Sequence, residues 1–171
     1  ILKSDGCIVK KIDVVPNPKS DEIRYKWVYT KLRAWELTEY DRVVFLDADI
    51  VVLDNIDELF DNSLTKFAVV SDCCDYFNAG VMSLVPSKWE FDDMLSKIAF
   101  VPSYDNGDQG FLNEYYKDIW YKLPYGYNAQ QPDYVSNPKQ WNLDSIKVIH
   151  YEQLKPWKGK NDELWEIHKY W

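Results

Sequence analysis

The stretch "RVVFLDADIVVLD" (residues 42–54) sets two carboxylates, Asp47 and Asp49, between two apolar runs. A continuous run such as "RVVFL" (42–46) is the pattern of a strand buried on both faces. In an open α/β sheet, ligands bind beyond the carboxyl ends of the strands, so the acidic pair falls where chemistry usually happens. The one residue between them, Ala48, is small enough for a ligand to approach. Several readings are open. The pair could form a capping or solvent-facing turn. It could begin a calcium loop, with Asp47, Asp49 and Glu58 at the first, third and twelfth positions, but Val51 and Val52 stand where a ligand and a turning glycine are required. It could hold a divalent ion against a phosphorylated substrate. An aspartyl phosphotransferase also begins with paired Asp on a strand, yet it wants Gly-Thr where Ile50 and Val51 stand.

Outward from this stretch, strand and helix patterns alternate. "CIVKKIDVV" (7–15) alternates and is β-branched, which predicts a strand that "PNPKS" breaks. Ile23, Trp27, Thr30, Ala34 and Leu37 recur at helical spacing and predict a helix over 21–40, capped by Ser20 or Asp21. "KFAVVS" (66–71), "YFNAGVMSLV" (76–85) and "SIKVIH" (145–150) read as strands. Residues 86–99, with Pro86 near the first turn, 107–118, and 161–171, capped by Asn161, read as helices. Residues 125–144 form one long irregular segment, a type that is often functional. The alternation predicts an α/β fold with helices on both faces of a sheet.

Composition narrows the function. A chain of 171 residues, 46% hydrophobic and 28% charged, suits one domain with a sizeable core. A net charge of -8 argues against nucleic-acid and anionic-membrane partners, which need an excess of Lys and Arg. An anionic substrate would need a cation to mediate. Cys7, Cys73 and Cys74 are odd in number, two of them adjacent, so no disulfide framework is evident. With no Asn-x-Ser/Thr acceptor and no signal-like start, this favours a cytosolic location, or the Golgi lumen if an N-terminal anchor has been removed. No apolar stretch reaches the roughly 18 residues that a membrane span needs.

Four ordered blocks carry a family resemblance: residues 30–61, "FNAGVMSLVPSKW" (77–89), "DQGFLNEYY" (108–116) and "IHYEQLKPW" (149–157). Together they resemble the glycogenin-like retaining glycosyltransferases of family 8, and the short His-to-Lys spacing resembles the plant xylan-modifying branch. The whole is also similar to glycosyltransferases of large algal viruses. The resemblance implies a single Rossmann-like nucleotide-sugar-binding domain of GT-A type over residues 1–171, with a mixed, mostly parallel sheet. The usual uridine-binding first strand has no visible counterpart, so the chain is expected to lack its first strand or strands.

The resemblance also implies a retaining, metal-dependent transfer from a UDP-sugar, UDP-glucose by default, to a carbohydrate or glycoprotein hydroxyl. Manganese, or magnesium, would be held by Asp47, Asp49 and His150. Lys155 would contact the pyrophosphate, and Lys31 would lie near the donor. Asp72, Asn78, Ala79 and Gly80 would line the donor sugar, with Asp108 and Gln109 near its anomeric carbon. Gln153 departs from the family's glycine and puts close backbone approach to the phosphates in doubt. On the residues alone, Asp108 could equally cap a helix, and "NAG" could be a strand bulge. The aromatic residues Tyr125, Tyr127, Tyr134 and Trp141 are acceptor-site candidates. A catalytically silent sugar-binding protein and an aspartyl-type phosphohydrolase are the alternatives; the latter expects an acid where Leu112 stands.

Overall fold

The computed structural model describes residues 1–171 except Arg24, Cys73, Cys74 and residues 160–163. The expected cap Asn161 and two of the three cysteines lie outside the described residues. The elements run β1 (Val43–Leu46), β2 (Ile50–Val52), β3 (Phe67–Ser71), β4 (Phe77–Leu84), α1 (Lys88–Lys97), α2 (Asp108–Tyr115), β5 (Tyr121–Leu123), β6 (Ala129–Gln130), α3 (Gln131–Ser136), β7 (Val148–His150) and α4 (Trp165–His168). Strands β1-β4-β3-β5 make one sheet and β2-β7-β6 a second. Among the described residues no helix is long and apolar enough to cross a membrane.

The α/β class and the mixed sheet are as expected, with two differences in detail. Among the described strands, β1–β4, β3–β4 and β2–β7 are antiparallel, and β3–β5 and β6–β7 are parallel. The short link from β3 to β4 can only return antiparallel, because a parallel crossover needs a dozen or more residues. The α-helices are also unevenly placed. One face of the first sheet packs Phe67, Val69, Phe77, Ala79, Met82 and Leu84 against Trp35, Phe91, Met94 and Phe111, from α1, α2 and a 3-10 helix over Val28–Glu36. The other face packs Ala68, Val70 and Val81 against Leu59, Leu123 and Val148, so short 3-10 turns and the second sheet cover it. Burying each large ring or aliphatic side chain contributes roughly 2–3 kcal/mol.

Strand β4 is buried along its whole length. Its register with β3 jumps from Val69↔Met82 to Val70↔Asn78. Ala79 and Met82, three apart, therefore share a face that strict alternation would deny them. The bulge falls on "NAG". On the other side the ladder with β1 is regular, and beyond it Asp47 N–H donates to Gly80 O at 2.9 Å.

Two expected elements take other forms. Residues 7–15 form no strand: Ile8, Val9, Ile12 and Val14 are exposed, and among the described residues no strand pairs with them. A β-branched alternation fits a pleated surface but needs a partner edge. The helix expected over 21–40 is the 3-10 helix of nine residues. Its buried residues Tyr29, Leu32 and Trp35 recur every three positions, which suits three residues per turn, whereas Ile23 and Trp27 of the expected apolar face are exposed. Strand β1 is half-buried rather than buried on both faces, because it stands at the end of its sheet. Helix α1 starts at Ser87, whose side chain accepts from Glu90 N–H; Pro86 precedes the cap.

Candidate active site

The carboxyl end of β1, the bulge of β4, the start of α2 and the end of β7 open on one cavity of about 1040 Å³. Lys31, Asp47, Asp49, Asn78, Asp108, Gln109, His150 and Lys155 line it. Residues far apart in sequence meet because Ile50↔His150 pairing in β2–β7 fixes the late strand beside the acidic turn, and Tyr151 N–H donates to Asp49 O at 2.9 Å.

Ligand atoms of Asp47, Asp49 and His150 lie within 4.8 Å of one another, and His150 Nε2 is 3.3 Å from Asp49 Oδ1. Two donors that share one ion at about 2.1–2.5 Å each lie at most about 4.2–5.0 Å apart, so the three fit one divalent ion. The charge balance fits too. Burial pushes the Asp47 carboxyl above its ordinary value, more than neighbouring Lys31 lowers it. Burial also acts on Asp49, but hydrogen bonds from His150 and Lys155 outweigh it and hold that carboxyl low. A set of two carboxylate oxygens and one imidazole nitrogen suits manganese or magnesium better than a thiolate-seeking ion.

Lys31 is held from three sides. Its Nζ is 2.6 Å from Asp108 Oδ2, 3.2 Å from Asp47 Oδ2 and 3.3 Å from Ala79 O. Burial disfavours its charge, but the Asp108 and Asp47 carboxylates prevail and raise its pKa above that of an ordinary lysine. Lys155 pairs with Asp49 and donates to Tyr151 O and Glu152 O. Asp108 does not cap α2. Asp105 does so, its Oδ1 accepting from Gly107 N–H at 2.8 Å and Gly110 N–H at 3.1 Å, which leaves Asp108 to the cavity. Gln109 Oε1 accepts from Ala79 N–H at 3.0 Å, while its Nε2 donates to Asp72 Oδ2 at 3.2 Å and Tyr104 OH at 2.9 Å. Gly80 is sterically required, since a Cβ there would lie 2.5 Å from His150 Nδ1, inside the ring's contact shell.

Sequence reasoning missed four residues. Asp105 is one. Glu152 lies two residues after His150, its Oε1 accepting from Asn78 Nδ2 at 3.0 Å. Burial, with Asp72, Asp49 and Asp133 adding to it against His150, raises its pKa to about 6. Gln130, in the amide orientation that satisfies both neighbours, donates to Asp72 Oδ1 and Glu152 Oε1 at 3.2 Å each. Asn128, fully buried, touches both Asn78 and His150. Only the strand-end spacing of His150 and Glu152 offered a signal. The four aromatic acceptor candidates fall away from the cavity: Tyr125, Tyr134 and Trp141 pack with Ile146 and Ile149, and Tyr127 OH donates to Glu58. Tyr25 and Trp157 are the aromatic residues among the cavity's lining.

A glycosyltransferase fold is the class to which this architecture belongs. The galactosyltransferase LgtC, solved with donor and acceptor sugar analogs, superposes with a TM-score of 0.67 at 22% identity, over 92% of this chain and 72% of that one, which establishes the likeness of fold. The family model for glycosyl transferase family 8 matches residues 4–161, and the chain belongs to that family. Inositol phosphorylceramide glucuronosyltransferase 1 of Arabidopsis thaliana is 38% identical over 184 residues, covering 92% of this chain and 34% of that protein. Galactinol synthase 2 of Solanum lycopersicum is 32% identical over 206 residues, covering 96% and 61%. The chain thus spans 34% and 61% of the length of these two relatives, less than two thirds of either.

Proposed function

We propose that this protein transfers a hexosyl unit from a UDP-sugar, UDP-glucose by default, to a carbohydrate or glycoprotein hydroxyl with retention, using manganese or magnesium. The observation that carries this reading is the convergence of Asp47, Asp49 and His150 within 4.8 Å, in the same cavity as Asp108 and Gln109. Bound there, a divalent cation would balance the charge that a departing diphosphate develops. Lys155 would exchange its Asp49 partner for the pyrophosphate as a point charge assisting departure. Asp72, Asn78, Ala79 and Gly80 would bound the donor sugar, with Asp72 accepting from a hydroxyl. Asp108 and Gln109 would serve the positive character that develops at the anomeric carbon, and Lys31, 2.6 Å from Asp108 Oδ2, would hold that side chain in place.

A screen of UDP-sugars for manganese-dependent UDP release tests this reading. Release is expected for at least one donor and is expected to fall about 100-fold or more in Asp49→Asn. Equal rates in that variant, or release untouched by tight chelation, would overturn the metal assignment. Donor binding without release or transfer would favour a silent sugar-binding protein.

A further inference from the structure

We propose that Tyr76 and Tyr104 form a stacking shelf for the acceptor, which is accordingly a neutral saccharide chain rather than a single sugar or a small polyol. The acceptor role rests on the transferase reading; the shelf itself is set by where the two rings stand. A tyrosine with an aromatic neighbour commonly hides its ring, as Tyr29 and Tyr116 do. Tyr76 and Tyr104 remain 46% and 52% exposed although their centroids are 4.8 Å apart at an interplanar angle of 46°. Neither ring belongs to a core cluster of the described residues. Exposed aromatic surface beside a cavity marks a place where a ligand or partner sits.

The shelf is held in position from both ends. Asp72 N–H donates to Tyr76 O at 2.9 Å. The buried side chain of Asn113 accepts from Phe77 N–H at 2.8 Å and donates to Phe77 O at 2.9 Å, so α2 clamps the residue that follows Tyr76. Gln109 Nε2 donates to Tyr104 OH at 2.9 Å, and Gln109 also lines the catalytic cavity. The shelf therefore begins where that cavity ends. On its far side a second cavity of about 730 Å³ opens between the end of β3, the later turns of α2 and β5, with Tyr76, Ser71 and Trp120 in its lining. This is the size of a site that encloses an extended small ligand, and a single sugar ring would leave most of it empty.

The chemistry of the lining selects the occupant. A pyranose presents C–H groups on its faces, whose slight positive charge suits the negative face of an aromatic ring. Its rim of hydroxyls both donates and accepts. The second cavity meets that rim with the carboxylates of Asp75, Glu114 and Asp118, which accept, and the ammonium groups of Lys117 and Lys122, which donate. Charges of both signs, interspersed, match a neutral ligand rich in hydroxyls better than a strongly anionic or cationic one. A protein partner would instead want an apolar centre depleted of charge.

Calorimetric titration of the protein with neutral mono- to tetrasaccharides of glucose, xylose, galactose and mannose, with UDP and Mn2+ added, tests the shelf. At least one series is expected to bind and to tighten about tenfold or more from mono- to trisaccharide, as each further ring gains a stacked face. Tyr76→Ala should weaken the trisaccharide about 3–10-fold and flatten the dependence on length, and Tyr76→Phe, which keeps the ring, should retain both. Tyr76 is exposed, so the alanine variant is expected to fold. Absence of binding in every series, equal affinity for one ring and three, or an unaltered length dependence in Tyr76→Ala would overturn the proposal. Self-association that Tyr76→Ala abolishes, with no saccharide bound, would overturn it by assigning the rings to a second copy of the chain. Length-dependent binding through Tyr76 in a protein that releases UDP from no donor would sink the transferase reading and leave the shelf standing as a saccharide site. UDP release without saccharide binding would do the reverse.

Discussion

On one side of the cavity, Asn78, Asn128 and His150 are buried, and each amide and ring atom described above meets a named partner across β4, β6 and β7. On the other side, Gln153, Trp157 and Lys158 are exposed, on a loop and a single 3-10 turn after β7. The first side is a wall whose geometry is set by sheet registers before any ligand arrives. The second is a solvent-facing rim, where Trp157 packs on Trp171 with ring centroids 4.6 Å apart. Chemistry that needs ligand atoms held to within fractions of an ångström belongs on the wall, and contacts that admit or release a nucleotide can sit on the rim.

Changes on the wall should have the largest effects. Gly80→Ala drives a methyl group into the His150 ring and should abolish Mn2+ binding and UDP release, at a cost of about 1–3 kcal/mol in stability. Calorimetry beside an activity assay checks this; a variant with wild-type metal affinity would break the picture of a rigid wall. Lys31→Met comes next. It leaves Asp47 and Asp108 without their shared cation, so denaturant unfolding should show a loss of about 3 kcal/mol, partly restored by added Mn2+. A loss that Mn2+ does not touch would place the metal elsewhere. Trp157→Ala, on the rim, should raise KM for the donor about tenfold or less with kcat and stability nearly unchanged. A large drop in kcat would mean that the rim takes part in the chemistry.

The smallest expected effect lies behind the rim, where α4 is tied down by His168. Gln131 Nε2 approaches His168 Nε2 at 2.8 Å, while the same amide donates to Leu154 O and accepts from Leu154 N–H, so the ring nitrogen must accept. Burial lowers the His168 pKa, against a smaller opposing effect of the Leu154 backbone. The unfolded chain then binds the proton more readily. The stability contributed is present above the unfolded value near 6.5 and is lost as pH falls through the lower folded value. Protection factors in 164–171, corrected for the intrinsic pH dependence of exchange, should fall on acidification, and His168→Gln should flatten that dependence; an unchanged pH profile in the variant would exclude His168 as its source.

How much of this was legible in the sequence follows from how local each signal is. Strands β3 and β4 and helices α1 and α2 announce themselves through their own periodicity, and the acidic turn and His150 through strand-end position and family blocks. Residues 7–15 mislead because alternation does not say whether a neighbouring strand is present. The 3-10 helix misleads because a period of 3.6 picks out Ile23, Trp27, Thr30, Ala34 and Leu37, whereas the residues buried at a period of 3 are Tyr29, Leu32 and Trp35. Asn128 was invisible because its partners, Asn78 and His150, are brought to it only by tertiary pairing, and an isolated Asn in an irregular segment looks like any turn residue. The Asp108 cap was ambiguous for a different reason: Asp105 and Asp108 flank the same helix start, and only the fold decides which one turns toward Lys31.

The most direct test of the central claim is pulsed electron paramagnetic resonance on Mn2+ bound to protein labelled with 15N-histidine. One Mn2+ per chain, with hyperfine coupling to a single imidazole nitrogen that disappears in His150→Ala, is the predicted result. Mn2+ bound with no nitrogen coupling, or with a coupling that survives the loss of His150, would contradict the account.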